Sequence, residues 1–307
     1  MSYIFEALQR AEAERPGGSL PTNADSVADL LQKVEQEIDR KQSLSELPPT
    51  TKPESPETGS FVSARVLVPA PAGDAKLVSL TDQGGLAAEK FRVLGLKLRH
   101  LRERRKLTRI VITSSIPEEG KSLIAANLAL NQSRSKILNT VLVDGDLRRP
   151  ELASRFGFHR GLPGLSEVLR GERQLSEVVY KLEGSGLRFL PAGVTPENPI
   201  ELMQSGRLQQ ILEKLETFFD WIIIDAPPVR PLADTPLWMK LADGVLLVTR
   251  EGVCERKQLE RAVEIIDSST LLGLVVNSCN SNEQKYYYSR YSPAADGEES
   301  TSPTPKN

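Results

Sequence analysis

The stretch Ser115-Ile116-Pro117-Glu118-Glu119-Gly120-Lys121-Ser122 follows the apolar run Ile110-Val111-Ile112 and precedes Leu123-Ile124-Ala125-Ala126-Asn127-Leu128-Ala129. A strand ends, a tight loop turns, and a helix begins with unpaired N–H groups and its positive dipole end aimed at an anion. The spacing is that of G-x-x-x-x-G-K-[ST], with Ser115 in place of the first glycine. In this pattern Lys121 reaches the β- and γ-phosphates of a nucleotide and the Ser122 hydroxyl ligates Mg2+. Ser115, Pro117, Glu119, Gly120 and Leu123 complete the expected cradle. A solvated turn with a stray lysine is the plain alternative, and Gly-Lys-Ser alone would not exclude it.

Two further strand ends argue against that alternative. Val141-Leu142-Val143-Asp144-Gly145-Asp146-Leu147-Arg148-Arg149-Pro150 delivers two carboxylates one residue apart, with two arginines just beyond. Trp221-Ile222-Ile223-Ile224-Asp225-Ala226-Pro227-Pro228 ends a second apolar run on Asp225, and the prolines stop it. An aspartate at a strand end is usually only a turn residue. Two of them downstream of a phosphate loop are a metal set: Mg2+ takes oxygen ligands and keeps several waters, so Ser122 with Asp144 or Asp225 suffices.

Outward from these motifs, strands and helices alternate from about Ala75 to Asn282. The fold class is therefore α/β, a mostly parallel sheet with helices on both faces, of the nucleotide-binding P-loop kind. Strands are expected at Arg109–Thr113, Thr140–Asp144, Leu187–Leu190, Trp221–Asp225, Gly244–Thr249 and Leu271–Asn277, several as the continuous Val/Ile/Leu runs of buried parallel strands. Helices are expected at Gly85–Arg104, Lys121–Ser133, Arg207–Phe218, Ala233–Leu241 and Glu255–Asp267. Ligands on such sheets bind beyond the carboxyl ends of the strands.

The flanks differ in composition. Residues 1–74 are rich in Pro, Ser, Thr and Glu. They hold two short helical patterns, the better being Val27, Leu30, Leu31, Val34 and Ile38 with Ser26 as N-cap, which suits a helix packed on its own domain or docked on a partner. Ser43 to Gly73 reads as a flexible tether. Residues 283–307 read as a disordered tail carrying Tyr286, Tyr287, Tyr288 and Tyr291, four of the six tyrosines.

With 39% hydrophobic and 26% charged residues the 307-residue chain has an ordinary globular composition, and a net charge of −2 gives no footprint for nucleic acid. Cys254 and Cys279 are too few and too far apart for a disulfide framework or zinc site, and His100 and His159 have no companions. A reducing cytoplasm fits. No apolar run is long enough for a membrane span and Met1 to Arg15 does not read as a signal peptide, so work at a membrane would need another chain to hold the protein there.

The motifs together resemble those of the bacterial tyrosine kinases, or BY-kinases, that control capsule and exopolysaccharide synthesis, in the cytoplasmic form without its own transmembrane segment. The resemblance covers about Ala75 to Tyr291. It includes the stretches Gly164-Leu165-Ser166-Glu167-Val168-Leu169-Arg170-Gly171, Pro191-Ala192-Gly193 and Pro196-Glu197-Asn198-Pro199-Ile200-Glu201-Leu202. It implies ATP and Mg2+ as cofactors, Lys121 on the phosphates, Ser122 and Asp225 on the metal, and Asp144 and Asp146 in metal binding and deprotonation of the acceptor tyrosine, with Asp144 the expected base. Arg148 and Arg149 are candidates for stabilising the transferring group. Asn277 resembles the base-proximal asparagine of related ATPases. The resemblance further implies autophosphorylation of Tyr286, Tyr287, Tyr288 and Tyr291 from a neighbouring subunit, a homo-oligomer, and a membrane-anchored activator that recruits the protein to the inner face of the plasma membrane. Each phosphate adds about −1.5 to −2 charge, and the repulsion would eject the tail and loosen the oligomer.

Two positions depart from the family pattern. Glu118 stands where family loops carry glycine, and its carboxylate is expected to disfavour phosphate unless it faces solvent. Gly95 stands at the last arginine of E-x-x-R-x-x-R, the ring-forming motif that begins at Glu89, within a helix whose stripe Phe91, Leu94, Leu98 and Leu101 faces the sheet. These departures motivate a degenerate ATP-binding scaffold as one alternative. A regulatory ATPase of the partition and division-site kind is the other, although Ile116 stands where those proteins carry a second loop lysine.

Overall fold

The computed structural model describes residues 64–135, 137–229 and 234–278. The tyrosine cluster, Cys279 and the Val27–Ile38 pattern lie outside the described residues.

In chain order the elements are β1 (Val66–Leu67), α1 (Val78–Thr81), α2 (Leu86–Arg104), β2 (Arg109–Ser114), α3 (Lys121–Gln132), β3 (Thr140–Asp144), α4 (Leu152–Arg155), α5 (Leu165–Arg170), α6 (Leu175–Val178), β4 (Tyr180–Leu182), β5 (Leu187–Leu190), α7 (Pro199–Gln204), α8 (Arg207–Glu216), β6 (Trp221–Asp225), α9 (Asp234–Lys240), β7 (Gly244–Arg250), α10 (Arg256–Ile265) and β8 (Leu271–Asn277). The eight strands form one sheet in the order β1-β4-β5-β3-β6-β2-β7-β8. Its ladders are parallel except where β4 meets β5.

Period-two alternation sends neighbouring side chains of the central strands into two separate cores. Val141, Val143, Ile222 and Ile224 pack beneath α8, whose Leu208, Ile211, Leu212 and Leu215 recur at helical spacing. Leu142, Ile223, Ile110 and Ile112 face the other way, against Ile124, Ala125, Leu128 and Ala129 of α3. The small residues of α3 let the helix lie close on the sheet, so the loop before it is held directly over the strand ends.

The ordered sheet begins ahead of the boundary expected at Ala75. Val66 and Leu67 pair with Lys181 and Leu182, and Ala70 N donates to Phe156 O at 2.9 Å. The edge of β4 offers unpaired backbone groups that a passing segment satisfies, whatever its composition. Val66, Leu67 and Ala70 therefore belong to the fold and not to the expected tether.

Within α2, Ala88, Gly95 and Leu98 are the buried positions. Gly95 lies against α3: Gln132 Nε2 donates to Gly95 O at 3.1 Å, and a Cβ at Gly95 would meet Asn131 Oδ1 at 2.5 Å. This position packs one helix on another. Glu89 and Arg92, the other two members of the motif read as ring-forming, pair with each other.

Candidate active site

Asp144 and Asp225 are register partners at the carboxyl ends of β3 and β6. Two residues beyond Leu142 and Ile223 respectively, they point to the face that α3 covers, toward Lys121 and Ser122. The glycine between Asp144 and Asp146 is required by close approach: a Cβ on Gly145 would stand 2.9 Å from Asp225 O and 2.9 Å from the Trp238 ring. Gly145 N donates to Asp225 O at 2.8 Å and Trp238 Nε1 to Gly145 O at 3.1 Å, which locks the two strand ends together.

The Lys121 ammonium is 3.1 Å from Asp146 Oδ2, 3.5 Å from Asp225 Oδ1 and 3.2 Å from Ser122 Oγ. Burial alone would lower its pKa, but attraction first to Asp225 and then to Asp146 outweighs it and holds the group above the ordinary lysine value. Burial, and next the charge of Asp225, push the Asp144 carboxyl well above the usual carboxylate range, with Lys121 opposing. Burial raises Asp225 as well, against the pull of Lys121 and of the Ser122 hydroxyl dipole.

These carboxylates are also short of hydrogen bonds. Asp144 Oδ2 accepts from Leu152 N at 3.2 Å, but Asp144 Oδ1 and both oxygens of Asp225 are buried without a hydrogen-bond partner, Lys121 reaching Asp225 only as an ion pair. Buried, unpaired carboxylate oxygens are costly unless a cation or donor meets them. Among the described residues no three His, Cys, Asp or Glu side chains form a ready-made metal cage. Mg2+ does not ask for one, since it binds through one or two carboxylates together with substrate phosphates. Ser122, Asp225 and Asp144 fit that cation.

The loop itself is braced from within. Glu119, fully buried, accepts from Ile116 N (2.8 Å) on Oε2 and from Thr249 Oγ1 (2.9 Å) and Arg250 N (3.3 Å) on Oε1. Asn277 Nδ2 donates to Glu119 O at 2.9 Å. Glu118 takes a left-handed backbone, φ 67°, with its side chain exposed. Gly120, φ 94°, caps α3.

A scan against models of protein families gives no match. The chain is 31% identical over 215 residues to tyrosine-protein kinase YwqD of Bacillus subtilis, which covers 69% of this chain and 89% of the relative. It is 31% identical over 179 residues to tyrosine-protein kinase CpsD of Streptococcus agalactiae serotype III, covering 58% of this chain and 77% of the relative. The chain belongs to the bacterial tyrosine-protein kinases. Its fold superposes on the solved VpsO kinase domain with a TM-score of 0.60 at 32% identity, over 67% of this chain and 98% of that one.

Within this kinase fold Lys121, Ser122, Asp144, Asp146 and Asp225 lie together. Ser115 is buried in the loop with Oγ unpartnered, Pro117 is exposed and Leu123 half-buried. Three of the expected nucleotide contacts have partners within the protein. Glu119 spends both carboxylate oxygens on the loop and β7, so only its backbone is left for a phosphate. Asn277 donates one amide N–H to the same loop. Arg148 is held as a fork by Asp234, Nε to Oδ2 at 2.6 Å and Nη2 to Oδ1 at 3.1 Å, because that carboxylate is buried and needs a planar cationic partner. Asp234, Thr249 and Trp238 escaped the sequence reading. The partners of the first two lie 86 and 130 positions away in the chain.

Proposed function

We propose that this chain is an ATP-dependent protein-tyrosine kinase of a capsule or exopolysaccharide system that phosphorylates its own Tyr286, Tyr287, Tyr288 and Tyr291. One observation carries the reading: a lysine of the phosphate loop, the strand-end pair Asp144 and Asp225, and Asp146 meet in one buried cluster, in which three of the four oxygens of the strand-end pair lack a hydrogen-bond partner. Lys121 turns from the carboxylates to the β- and γ-phosphates of ATP, and the N–H groups at the start of α3 face the same anion.

A metal held by Ser122 and Asp225, with Asp144 directly or through water, would neutralise charge on the phosphates. The acceptor tyrosine oxygen attacks the γ-phosphorus, the bond to the ADP oxygen breaks, and the phenolic proton passes to Asp144. Asp146 fixes Lys121 and the backbone of Arg149, to whose N–H its Oδ1 binds at 3.0 Å. No helix among the described residues is long and apolar enough to cross a membrane. A membrane-anchored activator recruiting the kinase to the inner face of the plasma membrane completes this reading.

The exposed Glu118 and the packing role of Gly95 give each departure a local explanation, which favours the kinase over a degenerate scaffold. Assembly of the homo-oligomer is then expected to use surfaces other than a ring built through position 95. The test is incubation of purified protein with ATP, Mg2+ and the activator's cytoplasmic segment, followed by phosphotyrosine mapping. Phosphate on Tyr286 to Tyr291 that disappears in Lys121→Ala supports the kinase, whereas ADP release with unmodified tyrosines overturns it in favour of a regulatory ATPase.

A further inference from the structure

Immediately downstream of Asp146 the chain lines a cavity of about 640 Å³, whose walls include Arg148, Arg149, Glu151, Arg160, Val194 and Thr195. Its charge is not balanced from within. Arg148 is taken by Asp234 at 2.6 Å and Glu151 by Arg155 at 2.8 Å. Arg149 and Arg160 are exposed, and among the described residues neither has a carboxylate within 4.0 Å. The backbone of both walls is braced. Arg149 N is bound to Asp146 Oδ1 at 3.0 Å on one side. On the other, the Ser166 hydroxyl is shared between Ala192 O (2.6 Å) and Val194 O (2.8 Å), and Val194 N donates to Glu167 Oε1 at 3.1 Å. A doubly cationic recess on a braced backbone, adjoining a phosphoryl-transfer site, suits an anionic segment of the acceptor chain.

We propose that this recess is a docking subsite for the acidic segment Asp296-Gly297-Glu298-Glu299 of the chain's own carboxyl-terminal stretch, and that docking there presents the tyrosine cluster to Asp144. The idea rests on the autophosphorylation reading above. Charge complementarity is the first argument: three carboxylates within four positions face two unpaired guanidinium groups. Chain length is the second. Asp296 stands five positions after Tyr291, a span of at most about 17 Å at the extended reach of a chain. With the acids on Arg149 and Arg160, Tyr291 stays within about 17 Å of Asp296, a span that reaches the site beside Asp146, whose carboxylate already holds the Arg149 backbone. Asp296 also stands 19 positions after Asn277, a reach of up to about 65 Å, enough for the recess of its own molecule or of a second copy.

The experiment compares two fluorescein-labelled peptides, residues 283–307 and residues 283–294, against full-length protein, whose resident tail competes equally with both. Binding is read by anisotropy and phosphorylation as separate KM and kcat. The longer peptide is expected to bind about tenfold more tightly and to show a KM about tenfold lower with kcat within about twofold, as two solvent-facing charged contacts allow. In Arg160→Gln the two peptides become equivalent because the longer one loses its advantage. Equal binding of the two peptides to wild type, an advantage that survives Arg160→Gln, or tight binding of a 283–307 peptide carrying Asp296→Asn, Glu298→Gln and Glu299→Gln each overturns the proposal. So does a 283–294 peptide phosphorylated at Tyr291 that matches the longer one, which would make the recess a phosphotyrosine subsite. If neither peptide is phosphorylated but anisotropy still separates them through Arg160, docking stands and the kinase reading fails.

Discussion

In the loop Ser115 to Ser122 the buried acid, Glu119, has three donors on its two side-chain oxygens and a fourth on its backbone carbonyl. At the ends of β3 and β6, a lysine's length away, Asp144 and Asp225 are equally buried and three of their four oxygens have no hydrogen-bond partner. The two regions share depth, charge type and proximity to Lys121, so the difference is one of purpose. Glu119 is finished within the protein and braces the backbone that receives an anion. The strand-end pair keeps acceptor capacity that a cation or an acceptor proton would use.

The largest effect expected from that contrast is at the residue joining both regions. Lys121→Ala should reduce tyrosine phosphorylation on the order of a thousandfold, since positioning and charge neutralisation are most of what phosphoryl transfer asks of a protein. A phosphotyrosine time course measures it, and a loss of less than tenfold would break the assignment of Lys121 to the phosphates.

Next comes the helix pair behind the loop. Gly95→Arg, the change that restores the family motif, should lower stability by about 3 kcal/mol rather than create a ring, because the new side chain must displace Asn131 and Gln132. Urea unfolding with light scattering at matched concentration separates the two outcomes.

The strand-end acids should give a smaller effect of opposite sign. Asp144→Asn removes a buried group whose ionised form is disfavoured, so the nucleotide-free variant should be more stable than wild type by about 1–2 kcal/mol at pH 7 while losing phosphorylation. A carboxyl raised in the folded state carries no penalty below its unfolded value of about 4, and stability is lost as pH rises through the elevated folded value. The variant's advantage should therefore be absent near pH 4 and grow toward neutrality. Denaturant midpoints of both proteins across that range test the sign, and an advantage that grows toward acid would refute it.

The smallest effect belongs to the loop's exposed acid. Glu118→Gly relieves a left-handed backbone worth about 1 kcal/mol, partly offset by the entropy of an unfolded glycine. Stability should rise by a few tenths of a kcal/mol and ATP should bind at least as tightly. Titration calorimetry giving clearly weaker binding would place the Glu118 carboxylate in the cradle after all.

Much of this was legible in the sequence because it was written in long signals. Ile222-Ile223-Ile224 and Val141-Leu142-Val143 are buried on both faces and read as strands without help from the rest of the chain. The loop lysine and the strand-end acids were legible for a related reason: each sits where a periodic pattern stops. β1 and β4 were not, since two or three residues carry no period and their pairing is decided by an edge formed elsewhere. Nor could Gly95 declare itself. A glycine inside a helical pattern reads as a lost arginine until the approach of Asn131 is known. Arg148 pointed at a phosphate on chemistry alone, and only folding revealed that a nearer anion, Asp234, already held it.

The two outermost strands carry one more implication. β1 and β8 close opposite margins of an eight-stranded sheet, which at about 4.8 Å per strand sets them roughly 34 Å apart. Whatever grips the protein ahead of Arg65 therefore pulls on the margin remote from Asn277, so a leash at the amino end leaves the departure point of the carboxyl end clear of the anchor.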